Sequence, residues 1–173
     1  MSLQENNHYS STTSSMTTTT ISPPPTTTKN NVNLSKFCKQ ILQADGSIRF
    51  AGVANNLGSL IATEYRQGLI PLMTKEQTSQ YAIEAVLRAA IREEFESNIG
   101  RLEYSIGKYE KIIRATIPII VIVKNTTNAA DDNDETKDKK LYLLLSFDID
   151  SDARTVIDTK ILPYVKENKM FLV

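Results

Sequence analysis

The fold is decided by LYLLLSF, residues 141–147. Nearly every position in this stretch is apolar, which is typical of a strand covered on both faces in the middle of a sheet. A second β-prone stretch lies upstream, where residues 112–117 and 119–123 flank Pro118 and are rich in isoleucine. Because proline cannot donate a ladder hydrogen bond, we expect a bulge, a bend or an edge position to interrupt this strand near Pro118.

Ahead of these strands, the sequence predicts a helix followed by a hairpin. The apolar residues that recur at helical spacing are Leu34, Phe37, Cys38, Ile41 and Leu42. Gly46 is suited to end that helix because glycine adopts the left-handed backbone conformation without a steric penalty. Residues 48–54 and 59–65 are typical of two strands, and the intervening turn, residues 55–58, predicts that they pair as an antiparallel hairpin.

A long helix is predicted next, over residues 74–99. Thr74-x-x-Gln77 matches the capping box that begins a helix, and Gly100 is suited to end it. Apolar residues keep helical spacing, and we expect the following ones to face the core: Ile83, Val86, Leu87, Ala90, Ile91 and Phe95. The opposite, solvated face is then expected to carry Glu84, Arg88, Arg92, Glu93 and Glu96.

The remaining elements complete the order α-β-β-α-β-β-β-α. Leu102, Tyr104 and Ile106 alternate with polar residues, which predicts a half-buried strand. A final amphipathic helix places Val156, Ile157, Ile161, Leu162 and Val165 inward, and we expect Pro163 to kink or divide it. This order predicts a single α+β domain with a central five-stranded antiparallel sheet.

Two segments are expected to lie outside the packed core. Residues 1–32 are nearly half serine and threonine and contain three consecutive prolines. Such a segment buries too little apolar surface to offset its ordering entropy, so we expect a disordered leader followed by one domain, residues 33–173. Residues 125–140 have no apolar period and carry acidic residues followed by lysines, which predicts a mobile loop.

Two acidic clusters suggest cation binding as an alternative to a structural role. Asp131, Asp132, Asp134 and Glu135 lack the spacing of an EF-hand, so we favour a solvated loop over a calcium site. Asp148, Asp150 and Asp152 follow the buried strand, where carboxylates can bind Mg²⁺ or Ca²⁺. We favour capping of the last helix by Asp150 or Ser151, because neighbouring side chains on an extended strand point to opposite faces.

The composition limits the chemistry available to the domain. Basic and acidic residues number 20 each, so no global charge attracts nucleic acid or membrane. The single histidine, His8, lies in the leader, the glycines form no phosphate-binding motif, and Cys38 falls on an apolar stripe. We therefore assign no catalytic residue, no cofactor and no metal ligand, although a pairing among Glu64, Glu93, Glu103 and Glu110 stays open. The single cysteine suits a cytoplasmic protein, and the lack of a catalytic set predicts a non-enzymatic one.

The element order and the hydrophobic pattern of residues 34–165 resemble the Roadblock/LC7 fold of the wider profilin-like and longin-like group. Residues 48–54, 109–118 and 143–148 are also similar to an uncharacterised family of small proteins from ammonia-oxidising archaea, which implies no known activity. The Roadblock resemblance implies a non-enzymatic dimer, a homodimer or a heterodimer, that scaffolds or regulates small GTPases and motors. It also implies a dimer surface on the long helix and the strand over residues 102–108, comprising Tyr81, Glu84, Arg88, Arg92, Leu102, Tyr104 and Ile106.

Two other functions stay open at this point. A small-molecule sensor of the PAS or profilin-like type would hold its ligand among Phe50, Tyr65, Tyr104 and Phe147, although core packing is the favoured use of these residues. A nucleic-acid face would use an arginine-rich region comprising Arg49, Arg66, Arg88, Arg92, Arg101, Lys108, Lys111 and Arg114 with Tyr65, Tyr104 and Tyr109. Interspersed glutamates weaken that second interpretation, so we expect a protein partner and self-association, with no membrane and no nucleic acid.

Overall fold

The computed structural model describes residues 28–124, 136–167 and 170–172. Its helices are α1 (Thr28–Ala44), α2 (Lys75–Glu93), α3 (Glu96–Ile99), α4 (Ala153–Val156) and α5 (Leu162–Glu167), with a π-helical turn (Ile157–Ile161) between the last two. Its strands are β1 (Ile48–Asn55), β2 (Leu60–Tyr65), β3 (Ser105–Lys108), β4 (Ile112–Lys124), β5 (Thr136–Asp148) and β6 (Met170–Leu172). The predicted order of elements is confirmed, with α3 and β6 as additions.

One antiparallel sheet forms the centre of the molecule, with the strand order β2-β1-β5-β4-β3. The central position of β5 confirms the prediction from residues 141–147, all of which are buried. The C-terminal strand β6 pairs with β4 beyond the end of β3. The fold class predicted from sequence, α+β with five antiparallel strands, is therefore correct.

The interruption predicted at Pro118 is wrong, because β4 continues through it, but the edge position predicted as one alternative is found there. Tyr109 N donates to Ile112 O at 2.9 Å in the β3–β4 hairpin, so Ile112 directs its backbone polar groups toward β3. Alternation along the strand then directs the nitrogen of Pro118 to the same outer edge. There the first residue of β3, Ser105, pairs with Thr116, and the last residue of β6, Leu172, pairs with Ile119. Pro118 therefore occupies a gap in which no described strand requires its N–H.

Each face of the sheet has its own core. On one face, α1 and the C-terminal helices cover a large cluster that includes Cys38, Ile41, Ile117, Leu143 and Phe147. On the other face, α2 covers a smaller cluster whose members are Phe50, Ala54, Ala82, Ala85, Val86, Ala89, Tyr142 and Leu144. Alternate residues of β5 enter the two clusters, as the period of two in a strand requires.

The buried face predicted for α2 is wrong except at Val86, whereas Glu84, Arg88 and Arg92 are exposed as predicted. The buried residues of this helix are Thr78, Ala82, Ala85, Val86 and Ala89, whereas Ile83, Leu87, Ala90, Ile91 and Phe95 are exposed. The sheet supplies bulky side chains beneath the helix, namely Phe50, Tyr142 and Leu144, so small alanines allow the closest approach. The larger apolar residues therefore face away from the sheet.

Two local features position α2. The predicted capping box is confirmed, since Gln77 N donates to Thr74 Oγ1 and Thr74 N donates to Gln77 Oε1. The β1–β2 turn touches the middle of the helix, where Gly58 has a φ of 80° and a Cβ would collide with the backbone of Ile83. This position therefore requires glycine for both its conformation and its close approach.

The C-terminal helical segment is divided, as predicted from Pro163. Leu162 N donates to Ile157 O five residues earlier, which makes the π-helical turn that ends just before this proline. Because a proline in a helix lacks an N–H and its ring crowds the preceding turn, the wider turn accommodates it.

The predicted boundaries of the leader and the loop differ from the elements observed. Residues 1–27 of the predicted leader lie outside the described residues, and α1 already begins at Thr28. The predicted loop over 125–140 is too long, because β5 begins at Thr136 and pairs with β4 from its first residue. Only positions 125–135 of that loop lie outside the description, and they include its acidic residues.

The packing of α2 predicts opposite effects for one substitution at neighbouring alanines. Ala89→Leu places extra methyl groups against a filled sheet face, and we expect it to lower the free energy of unfolding by about 1–3 kcal/mol. Ala90→Leu lies on the exposed face and is expected to change it by less than about 0.5 kcal/mol. Urea unfolding of the two variants measures both values, and a larger loss at Ala90 would contradict the observed orientation.

Candidate interaction surface

The outer face of α2 carries three large apolar side chains in one row, and Phe95, just beyond the end of the helix, extends the row. Ile83, Leu87, Ile91 and Phe95 follow one another at intervals of four residues, which places them along one side of the helix. Their exposed fractions lie between 46% and 59%, and Ile99 of α3 continues the row at 82%. We call these five residues the α2 stripe. A contiguous exposed apolar patch of this kind marks an interaction site in many soluble proteins.

The stripe lies close to an open edge of the sheet. Strand β3 pairs with β4 on one side and with no described strand on the other. Its Ile106 is 40% exposed. A groove of about 510 Å³ lies beside the stripe, lined by Ile91, Phe95 and Ile99 and by the segment that leads from α3 into β3, residues 100–104. Apolar side chains and unpaired backbone groups thus occur on one side of the domain.

Polar side chains border the stripe. Arg88 Nη1 lies 3.3 Å from Glu84 Oε2, one helical turn away, and Arg92 Nη1 donates to the Arg88 carbonyl oxygen at 3.1 Å. Hydrogen bonds from Gln80 and Arg88 lower the pKa of Glu84. The border therefore carries fixed charges of both signs.

Tyr81 links this border to the sheet. Its ring lies beneath the guanidinium of Arg114 on β4, whose Cζ is 3.7 Å from the ring centroid. Burial raises the pKa of the Tyr81 hydroxyl, against the opposing effect of Arg114. This contact is a cation–π interaction, which requires no carboxylate, and it holds α2 against β4.

Most of the surface residues predicted from sequence lie around the stripe. Glu84, Arg88 and Arg92 border it, Leu102 lines the groove, and Ile106 is exposed on β3. Tyr104 precedes β3, and its hydroxyl lies near Asp158 and Arg154 of the C-terminal helical segment, where burial raises its pKa. Tyr104 therefore contacts both the groove and the core on the opposite face.

The stripe itself was missed by the sequence prediction. An alternative signal was present, since Ala82, Ala85 and Ala89 also recur at helical spacing. Hydrophobicity alone assigned the larger residues to the core, whereas a helix on a sheet of bulky side chains requires small ones. The alanine row would have identified the buried face.

A polar contact at the C-terminal end of α2 fixes its rotation. Glu93 was predicted on the solvated face, but its side chain is only 11% exposed and lies 2.5 Å from Lys140 Nζ of β5. The Tyr142 hydroxyl lies 3.3 Å from the same carboxylate oxygen. Burial raises the pKa of Tyr142, and the charge of Glu93 raises it further. Truncating this carboxylate would leave a cation at the helix–sheet junction without its partner.

The three aspartates that follow the buried strand do not converge on a common ligand position. Asp148 accepts from Arg49 Nη1 at 2.8 Å and from Arg66 Nη1 at 2.6 Å, whereas Asp152 accepts from Thr155 N at 3.1 Å and caps α4. The predicted cap, Asp150 or Ser151, is thus wrong by one or two residues. Among the described residues, no three histidine, cysteine or acidic side chains are arranged to hold a metal ion. The proposed calcium ligands in 131–135 lie outside that description.

The aromatic residues considered for a sensor pocket are not brought together. The rings of Phe50 and Tyr65 lie 4.9 Å apart and border a cavity of about 20 Å³, which is the size of one water molecule. Phe147 is buried on the opposite face of the sheet, and Tyr104 lies in the groove beside α2. A shared ligand cavity therefore does not form among these four residues.

Half of the arginine-rich region is engaged in contacts within the domain. Arg49 and Arg66 pair with Asp148, Arg88 pairs with Glu84, and Arg114 stacks on Tyr81. These four of the eight predicted basic residues therefore contribute less positive charge to a nucleic-acid surface.

Cys38 has the structural role predicted for it. The side chain is fully buried in the larger core, and burial raises the pKa of its thiol to about 12. A thiol at this position is protonated at neutral pH and packs as a small apolar group.

The arginine pair around Asp148 makes stability depend on pH. A hydrogen bond from Arg66 lowers the pKa of Asp148 in the folded protein, so the stabilisation is present above the unfolded value and is lost as pH falls through the folded one. We expect Asp148→Asn to lower the free energy of unfolding at pH 7 by about 1 kcal/mol, a modest value because the side chain is partly exposed.

Urea unfolding at pH 7 and at pH 3 measures this effect. The difference between the two proteins is expected to shrink at the lower pH, since an unperturbed aspartate titrates near pH ~3.9. Asp150→Asn, at an exposed neighbouring position, is the matched control and should stay close to the parent protein. A difference at Asp148 that is the same at both pH values would contradict the assignment.

No helix among the described residues is long and apolar enough to cross a membrane.

Comparison with known proteins identifies the fold. No model of a protein family matches the chain, and no curated protein matches it. Three solved structures are similar: a Roadblock/LC7 domain from Streptomyces avermitilis and the gliding protein MglB from Thermus thermophilus and from Myxococcus xanthus. Their TM-scores are 0.50, 0.52 and 0.51, and their sequence identities are 8%, 14% and 12%.

These alignments span most of each molecule. They cover 78%, 79% and 82% of this chain and 96%, 87% and 91% of the respective structures. At such low identity the similarity concerns the backbone arrangement alone, and function has to be argued from the surface itself. The domain described here has the Roadblock/LC7 fold.

Proposed function

We propose that this chain is a non-enzymatic interaction module that self-associates through the α2 stripe and strand β3. The observation that carries the proposal is the exposed row of large apolar side chains beside an open sheet edge. In a monomer this row would stay in contact with water, which costs a free energy of about 25 cal/mol for each Å² of exposed apolar surface.

The size of the surface suits a specific contact between two copies. Burying the stripe and Ile106 on both copies would remove on the order of 1,000 Å² from water, which is near the lower limit for a specific interface. In a two-fold dimer each copy contributes the same patch, so stripe meets stripe and β3 meets β3. Antiparallel pairing would also satisfy the unpaired backbone groups of that strand.

The border charges favour an antiparallel arrangement of the two helices. Glu84 precedes Arg88 and Arg92 along α2, so reversing one helix brings the acidic end of one border toward the basic end of the other. Opposite charges at the rim of an interface steer encounter and orientation more than they add affinity.

Three ionisable sites in the domain serve structural contacts, and this supports a non-enzymatic role. Glu93 pairs with Lys140, Asp148 pairs with two arginines, and the thiol of Cys38 is protonated and buried. Each of these groups is held by the fold in a way that opposes proton transfer or nucleophilic attack.

We further propose that the dimer is a cytoplasmic scaffold or regulator of a small GTPase-like partner. This step rests on the resemblance of the sequence to Roadblock/LC7 domains, and the similarity of the fold supports it. The resemblance to archaeal proteins contributes no activity of its own. Binding of the purified chain to small GTPases of the same genome, loaded with GDP or a non-hydrolysable GTP analogue, tests the step directly.

Self-association is tested by light scattering of the full chain over a dilution series in the micromolar range. We expect a dimer, and we expect Leu87→Arg to weaken dimerisation by about 100-fold, because the variant buries an unpaired charge at the centre of the stripe. The monomeric fold should persist because Leu87 makes no essential core contact.

Ile70→Arg serves as the matched control. Ile70 is 84% exposed in the segment between β2 and α2 and belongs neither to the stripe nor to the groove beside it, so the same substitution there should leave the dimer intact. A parent chain that is monomeric throughout the series, or a Leu87→Arg dimer as stable as the parent, would rule out this surface.

A further inference from the structure

The edge of the sheet formed by β2 is open and lies at the opposite end from β3. Arg66 N donates to Arg49 O at 2.9 Å, so this pair of residues is hydrogen-bonded across the β1–β2 hairpin. Alternation along an antiparallel strand then directs the backbone N–H and C=O groups of Thr63 and Tyr65 away from β1. These groups have no strand partner among the described residues.

This edge lacks two of the features that prevent strand addition, and its bulge at Ile61 and its one charge, Glu64, leave Thr63 and Tyr65 in regular register with β1. Its sequence, LIATEY, contains neither proline nor lysine, and the strand is six residues long. A groove of about 430 Å³ runs along it, with Ser35 of α1 on one side and Lys75, Thr78 and Ser79 of α2 on the other. The backbone groups thus lie along a groove between the two helices, and an extended chain is the conformation that pairs with a strand edge.

Helix α1, which follows the predicted leader, lies beside this groove. Lys39 Nζ lies 3.8 Å from Glu64 Oε1, and Arg66 donates to the Gly46 carbonyl oxygen at 2.6 Å. These two contacts show that α1 runs alongside β2 in the same direction. The first residue of α1, Thr28, therefore lies toward the Leu60 end of the strand.

The sequence before Thr28 contains a segment suited to this edge. Residues 16–22, MTTTTIS, include five consecutive β-branched residues and no charge, glycine or proline. The next three residues are prolines, which lack the N–H that a strand requires. The segment is therefore bounded on its C-terminal side at Ser22.

The lengths agree with an antiparallel arrangement. Seven extended residues span about 23 Å, compared with about 20 Å for the six residues of β2, at ~3.3 Å per residue. Residues 23–27 then span up to about 16 Å, enough to connect the Leu60 end of the edge with Thr28. A tether this short gives the segment a high effective concentration at the groove.

We propose that residues 16–22 bind to the outer edge of β2 as an added antiparallel strand. The leader is too polar to form a core, but a single strand on an existing sheet requires none. Backbone hydrogen bonds to Thr63 and Tyr65 hold the segment at this edge. This binding site is independent of the proposed dimer, which uses the other edge of the sheet.

Amide hydrogen exchange of the full chain, resolved residue by residue by NMR, tests the proposal. In the parent protein the amides of Thr63 and Tyr65 are expected to be protected. Thr19→Pro removes a donor from the middle of the segment and should accelerate their exchange by about tenfold or more. Thr12→Pro, in the same leader but outside the segment, should leave their exchange unchanged.

Two results would overturn the proposal. In the first, the amides of Thr63 and Tyr65 exchange at the same rate in the parent and in Thr19→Pro at every protein concentration. In the second, their protection survives Thr19→Pro and disappears on dilution, which would mean that a second copy of the chain pairs with this edge. Because both proline substitutions lie outside the core, the amides of β5 serve as an internal check that the domain stays folded.

Discussion

The close approach of α2 to the sheet is the constraint on which the rest of this structure depends. Phe50, Tyr142 and Leu144 fill the space on the sheet side, so the buried part of the helix that packs on them consists of alanines and one valine, with Tyr81 at its border. A helix of this composition has more large apolar residues than its buried face can accept. The remainder forms the α2 stripe, and the association we propose follows from this distribution of side-chain volume.

The polar contacts of the domain serve the same arrangement. Glu93 and Lys140 hold the C-terminal end of α2, the stack of Arg114 on Tyr81 holds its N-terminal half, and Gly58 lets the β1–β2 turn meet its middle. Three contacts along one helix determine its rotation about its own axis. The face presented to solvent is therefore as well defined as the face that is buried.

Sequence reasoning predicted the elements well and their packing less well. The continuous apolar run of β5 and the capping box at Thr74 are local signals, and both led to correct predictions. The orientation of α2 depends on side chains from β1 and β5 that are distant in sequence, so hydrophobic periodicity could not determine it. The effect of Pro118 likewise depends on which edge its nitrogen faces, and this follows only from the register of the hairpin. The candidate surface was predicted by its charged border, whereas its apolar centre was assigned to the core.

The position of Pro118 also determines how the outer side of β4 can be occupied. The two strands along it, β3 and β6, come from distant parts of the chain and meet β4 on either side of a residue that offers no donor. The β3–β4 ladder and the β4–β6 ladder share no hydrogen bond, so the outer side of β4 is divided into two independent pairing sites. Sequence changes in β6 can thus alter one pairing site while the β3–β4 hairpin keeps its own. The two halves of the outer side of β4 can therefore diverge separately during evolution.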